Sequence, residues 1–178
     1  MYRPPDVPEL KRFVQMLADS GHTLNAWASR EFTPAMRLTL IQHYGALSSP
    51  LAKSMFIQIL QNAGSPDERE AFFQLIESEQ DARVRLDLTA GLRWRVLPED
   101  YGRLYAWLSD PEFGGTPTWL LDTLAKCSPE RAVVDLPKLT IENPQPRKHR
   151  DRLVEKLTRK LERKAATVKN PIAPKDGP

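Results

Sequence analysis

The stretch Ser65–Val96, SPDEREAFFQLIESEQDARVRLDLTAGLRWRV, decides the fold. Ser65 precedes Pro66, and a proline at the first helical position lacks only an N–H that would stay unpaired there. Glu68 stands three residues beyond Ser65, the spacing of a capping box. Phe72, Phe73 and Ile76 give an apolar stripe, which the polar turn Glu77-Ser78-Glu79-Gln80-Asp81 closes. Val84, Leu88 and Leu92 then recur every four residues and share one helical face. The stretch predicts a hairpin of two helices.

The hairpin recurs along the chain. Pro34, Pro66, Pro98 and Pro129 lie 32, 32 and 31 residues apart, and Thr33, Ser65 and Ser128 precede three of them. Leu97 precedes the fourth, with Glu99 and Asp100 in the first turn, where the helix dipole favours acids. Second starts stand between them at Ser49-Pro50, near Asp81, and at Thr116-Pro117. A period of this size, divided into two helices, is the pattern of a helical solenoid.

At this point the residues resemble a known family. The run QLIESEQDARVRLDLTAGL is similar to a HEAT repeat: an apolar helix end, an acidic turn, then Asp-x-x-Val-Arg opening a second helix. Leu104–Glu112, LYAWLSDPE, resembles the end of a HEAT first helix with its Leu-x-Asp-Pro turn. The likeness covers 66–95 and 98–127, and extends loosely over 34–63. It implies an all-α, right-handed superhelix of four to five hairpins that binds proteins and, in some members, nucleic acid. It carries no catalytic residue over.

Length and composition agree with a helical repeat domain. The 178 residues suit one domain, and the 40% apolar and 28% charged content is that of a globular chain. No apolar run approaches the roughly 18 to 20 residues of a membrane span. The opening MYRPPDVPELKRF has no apolar core of a secretory signal. The single cysteine, Cys127, permits no internal disulfide and fits a reducing compartment, so the expected location is cytoplasmic. Charge is uneven: residues 1–146 hold 15 Lys+Arg and 19 Asp+Glu, whereas 147–178 hold 11 and 4. A mildly acidic body therefore ends in a basic segment.

Taken in order, the pattern predicts a first helix from Pro8 with Leu10, Phe13, Val14 and Leu17 inward, stopped at Ser20-Gly21. A short helix over 24–30 follows, carrying Trp27. The hairpin 34–47 and 50–63 turns Met36, Leu40, Tyr44 and Leu47 inward from its first helix. From its second it turns Leu51, Met55, Ile59 and Leu60 inward. After 66–96 and 98–127, a helix over 129–136 ends at Pro137. The repeat domain spans 1–146 and closes on the linker Asn143-Pro144-Gln145-Pro146. Arg147–Ala166 is a basic helix with Leu153, Leu157 and Leu161 in one row, and 167–178 has the composition of a disordered tail.

Signatures of catalysis are missing from the sequence. His22, His43 and His149 lie far apart, and no HExxH, CxxC, ExxH or GxSxG occurs, so no catalytic, cofactor or metal residue is assigned. Cys127 ends an apolar stripe as a small buried hydrophobe. Gly114-Gly115-Thr116-Pro117 lacks the lysine and spacing of a phosphate loop and reads as a connection. Arg85 reads as a structural partner for a turn carboxylate. Arg83, Arg93, Trp94 and Arg95 are either a solvated basic face or an anchor patch for a partner, since Trp and Arg are enriched at hot spots. Trp107 is either core filler or a further anchor. In the basic helix, Arg147, Lys148, Arg150, Arg152, Lys156, Arg159, Lys160, Arg163 and Lys164 surround the leucine row. That helix caps the last repeat and offers a polyanion site.

Two functions follow as expectations. The first is a non-enzymatic adaptor, inhibitor, immunity or assembly factor that holds an acidic protein partner on the solenoid surface. The second is a nucleic-acid-binding protein using the basic helix. A membrane surface is disfavoured, because that helix lacks Trp and Phe. Oligomeric state is not encoded in any of these features.

Overall fold

Every proline of the repeat opens a helical turn in the computed structural model, which describes residues 6–169. Nine α-helices occur among the described residues, and no strand does. They are α1 (Pro8–Asp19), α2 (Pro34–Tyr44), α3 (Pro50–Asn62), α4 (Arg69–Ser78), α5 (Ala82–Thr89), α6 (Tyr101–Ser109), α7 (Thr118–Cys127), α8 (Pro129–Asp135) and α9 (Pro144–Lys169). Pro66 and Pro98 each begin one 3-10 turn, Pro66–Glu68 and Pro98–Asp100, that leads directly into α4 and α6. The same turn thus recurs one period apart. No helix among the described residues is long and apolar enough to cross a membrane.

The chain divides into two compact units. Among the described residues, one holds 6–97 together with Pro111–Gly115; the other holds Pro98–Asp110 and 116–169. In the first, α2 packs on α3 and α4, and α5 packs on α3 and α4. First helices thus meet first helices, and second helices meet second helices. In the second unit α7 lies against α6 and α8, and α9 lies against both α7 and α8. The boundary expected at 146 is therefore not where the structure divides: α9 belongs to the same unit as α6–α8.

The α1 stripe is as expected, with Leu10, Phe13, Val14 and Leu17 buried and Gly21 at φ 80° beyond the helix end. From α1, Glu9 reaches the start of α3, where its carboxylate accepts from the Ser48 N–H and hydroxyl at 2.7 Å each and from the Ser49 N–H at 2.9 Å. Those bonds hold the Glu9 carboxyl below its ordinary pKa. A lowered folded-state pKa gives stability that is present above the unfolded value and is lost as pH falls through the folded one. Glu9→Gln should therefore melt below wild type at pH 7. The gap in melting temperature should narrow as the pH is lowered through the acid range in which the folded carboxyl takes up its proton. A gap independent of pH would show that the carboxylate charge is not what holds α3.

Four local expectations are corrected. Residues 24–30 do not form a helix; only Ser29–Glu31 makes a 3-10 turn. Trp27 ties this segment down instead, stacking on Phe56 at 5.5 Å and donating from Nε1 to the Met55 carbonyl at 3.1 Å. The first half of the α3 stripe is one residue out of phase: Ile59 and Leu60 are buried as expected, but Leu51 is 52% exposed, and Ala52 and Phe56 face the core in place of Leu51 and Met55. The linker 143–146 is the start of α9, with the Asn143 side chain accepting from the Gln145 N–H at 3.0 Å as its cap. At its other end α9 continues to Lys169, three residues into the segment expected to be disordered. The rest of that segment lies outside the described residues.

Candidate functional site

The capping box expected at Ser65 and Glu68 does not form, and what replaces it organises the site. Glu68 turns inward and is buried between two buried arginines. Its Oε1 accepts from Arg37 Nε at 2.7 Å, and its Oε2 accepts from Arg95 Nη2 at 2.8 Å and Nε at 3.1 Å. Two guanidiniums face one carboxylate, so the excess positive charge needs other acceptors. Arg37 also donates to the Phe32 carbonyl. Arg95 donates to the carbonyls of Leu60 at 2.8 Å, Ala63 at 2.7 Å and Gly91 at 2.9 Å. Leu60 and Ala63 stand at the C-terminal, negative end of the α3 dipole, which suits a cation.

Arg95 fills a space made for it. Its guanidinium lies 4.0 Å over the Phe72 ring. A Cβ on Gly64 would stand 2.4 Å from its Cζ, and a Cβ on Gly91 would stand 2.3 Å from the Leu60 carbonyl. Burial pulls the Arg95 guanidinium down to about 10, with Glu68 opposing the shift. It stays charged at neutral pH. The sequence offers Arg95 as part of a solvated basic face or a partner anchor; at 0% exposure it is neither, and its role is structural.

Its neighbour Trp94 caps the same helix end from outside. Trp94 Nε1 donates to the Gln61 carbonyl at 3.3 Å, yet the side chain remains 45% exposed. The Arg93 guanidinium covers its ring at 4.7 Å. One short run thus sends Arg95 inward and leaves Arg93 and Trp94 at the surface.

A groove of about 740 Å³ lies between α3 and α5, and Gln61, whose carbonyl accepts from Trp94, is part of its lining. Lys53, Ile57 and Gln61 line it from α3, and Arg83, Val84 and Asp87 line it from α5; Glu79 and Asp81 border it at the turn between α4 and α5. Gln61 donates to the Asp87 carbonyl at 2.6 Å and joins the two walls. At the turn, Asp81 caps α5 by accepting from the N–H groups of Arg83 and Val84. Glu79 accepts from the Tyr44 hydroxyl at 3.2 Å, and burial together with Glu79 raises the Tyr44 pKa. Lys53 stands over the Tyr44 ring at 5.6 Å. The lining therefore carries both signs of charge, with apolar side chains at Ile57 and Val84.

The remaining candidates fall elsewhere. Arg85 holds backbone rather than a turn carboxylate, donating to the carbonyls of Glu112 at 2.9 Å and Phe113 at 3.2 Å. It thereby fixes the loop in which Gly114 adopts φ 112° beside Ala82. Trp107 is buried, at 9% exposure, so it is core filler in the second unit. Cys127 is buried, and burial pushes its thiol up to about 11. On α9, Leu157 is buried, and Arg150 is held by the Leu139 carbonyl at 2.7 Å and by Asp151. Arg147, Lys148, Arg152, Lys156, Arg159, Lys160, Arg163 and Lys164 are exposed. Among the described residues no group of three metal-ligating side chains occurs.

The chain matches no family model, no curated protein and no solved structure. The groove and the surface around Trp94 are thus the observations from which a function has to be argued. Of the residues singled out from sequence, Arg83 lines the groove and Arg93 and Trp94 are exposed beside Gln61, whereas the α3 wall was not among the candidates. The signal available for that wall was the second-helix position of α3 in the repeat, since second helices of successive hairpins stand side by side.

Proposed function

We propose that the protein is a non-enzymatic interaction module that seats a segment of a protein partner in the groove between α3 and α5. The neighbour relations α2 on α4 and α3 on α5 support a HEAT-like stacking of hairpins, in which second helices share one face. The observation that carries the reading is Trp94. A large aromatic side chain is held half-exposed by a hydrogen bond to the carbonyl of Gln61, a residue that lines the groove, and the Arg93 guanidinium lies over its ring. Trp and Arg are the side chains that supply most binding energy at protein interfaces, and a pre-positioned anchor loses little entropy on binding. Arg83 in the groove lining and Arg93 beside Trp94 favour a segment that carries acidic side chains.

The test is photo-crosslinking of the full chain in its native cell extract. A benzophenone amino acid at Ile57, in the groove, should give discrete protein adducts, and the same group at the exposed Gln74 on α4 should not. Trp94→Ala should remove the Ile57 adducts. Adducts of equal yield from both positions, or adducts indifferent to Trp94→Ala, would contradict the reading.

A further inference from the structure

The exposed side of α9 has an order that its composition alone does not reveal. Lys148, Arg152, Lys156, Arg159 and Arg163 follow one another by 4, 4, 3 and 4 residues and are all exposed. At 3.6 residues per turn these steps keep all five on one side of the helix. The packed side lies opposite: Leu157 is buried there, with Leu153, Val154 and Leu161 beside it, against α7 and α8. Asp151, Glu155 and Glu162 follow one another by 4 and 7 residues and form a separate acidic row along one edge of the basic one. Glu155 holds Arg159 at 2.5 Å across that edge. The cations are thus sorted into a line about 22 Å long at 1.5 Å per residue.

We infer that this row is a binding site for the phosphate backbone of double-stranded nucleic acid, read without regard to sequence. A line of five cations about 22 Å long spans about six base pairs of a duplex, whose two strands present a phosphate every roughly 1.7 Å of axis, so each cation has phosphates within reach where a strand crosses the row. The row contains no apolar or aromatic side chain. Protein interfaces place apolar and aromatic groups at their centres and are depleted of lysine, so an acidic protein would find no anchor here. Single strands are held largely by stacking on aromatic rings, which the row also lacks. A duplex needs only the charges. Residues 1–146 hold 15 Lys+Arg against 19 Asp+Glu, which confines the contact to α9. The site is independent of the groove in the first unit, and either can fail without the other.

The experiment is fluorescence anisotropy of the full chain with a labelled 20-base-pair duplex, between 50 and 200 mM NaCl. With five phosphate contacts, affinity should fall roughly 500-fold over that range. Joint substitution Lys148→Ala, Arg152→Ala, Lys156→Ala and Arg163→Ala leaves one contact, and the fall should shrink to roughly threefold or fourfold. Glu155→Gln with Glu162→Gln, which removes two of the three acids of that edge and leaves the packed side untouched, should tighten binding severalfold. This second variant decides the matter if the alanine variant does not fold. Absence of duplex binding at 50 mM salt, or affinity unchanged by the Glu→Gln pair, would overturn the inference. Equal competition by poly-glutamate would assign the row to acidic proteins instead.

Discussion

Glu68→Ala is expected to lower the free energy of unfolding by about 3–5 kcal/mol, because it leaves Arg37 and Arg95 buried without a carboxylate. Both guanidiniums keep their backbone carbonyls, but those acceptors compensate only part of two buried charges. A loss of that size is a large share of the roughly 5–15 kcal/mol that holds a domain together. Urea denaturation followed by circular dichroism gives the value. Replacing all three partners with methionine should recover much of the loss, since buried ion networks are often no better than apolar side chains of similar volume. A loss below about 1 kcal/mol for Glu68→Ala would mean that water reaches the arginines and that the network is not buried.

Leu88→Ala is expected to cost about 2–5 kcal/mol by opening a cavity. Leu88 is fully buried on α5, the helix that forms one wall of the groove. The same substitution should reduce the Ile57 crosslink, because α5 loses a side chain that fixes it against its neighbours. A denaturation midpoint equal to wild type would show that the site collapses around the smaller side chain without loss.

The helices were legible because proline, cap and stripe agree locally. Thr33, Ser49, Asp81 and Ser128 each accept from the helix they open, and the α1 and α4 stripes are buried as their spacing requires. Failures occurred where a tertiary contact overrode a local signal. Ser65 and Glu68 have capping-box spacing, but pairing with Arg37 and Arg95, 31 and 27 residues away, takes the carboxylate inward. No local pattern encodes that choice. Leu51 was placed inward because leucine usually is, although Ala52 and Phe56 define an equally regular face one residue later. Arg93, Trp94 and Arg95 illustrate the limit for the site: composition marked the run as a candidate, and only the packing separates its buried arginine from its surface pair.

The central claim is that a protein partner occupies the groove between α3 and α5. Hydrogen exchange of the full chain, alone and with the partner recovered through the Ile57 crosslink, measures it directly. Protection on binding is predicted over Pro50–Asn62 and Ala82–Trp94, and it should be weakened by Trp94→Ala. Protection confined to α7, α8 and α9, with the α3 and α5 amides unchanged, would contradict the claim.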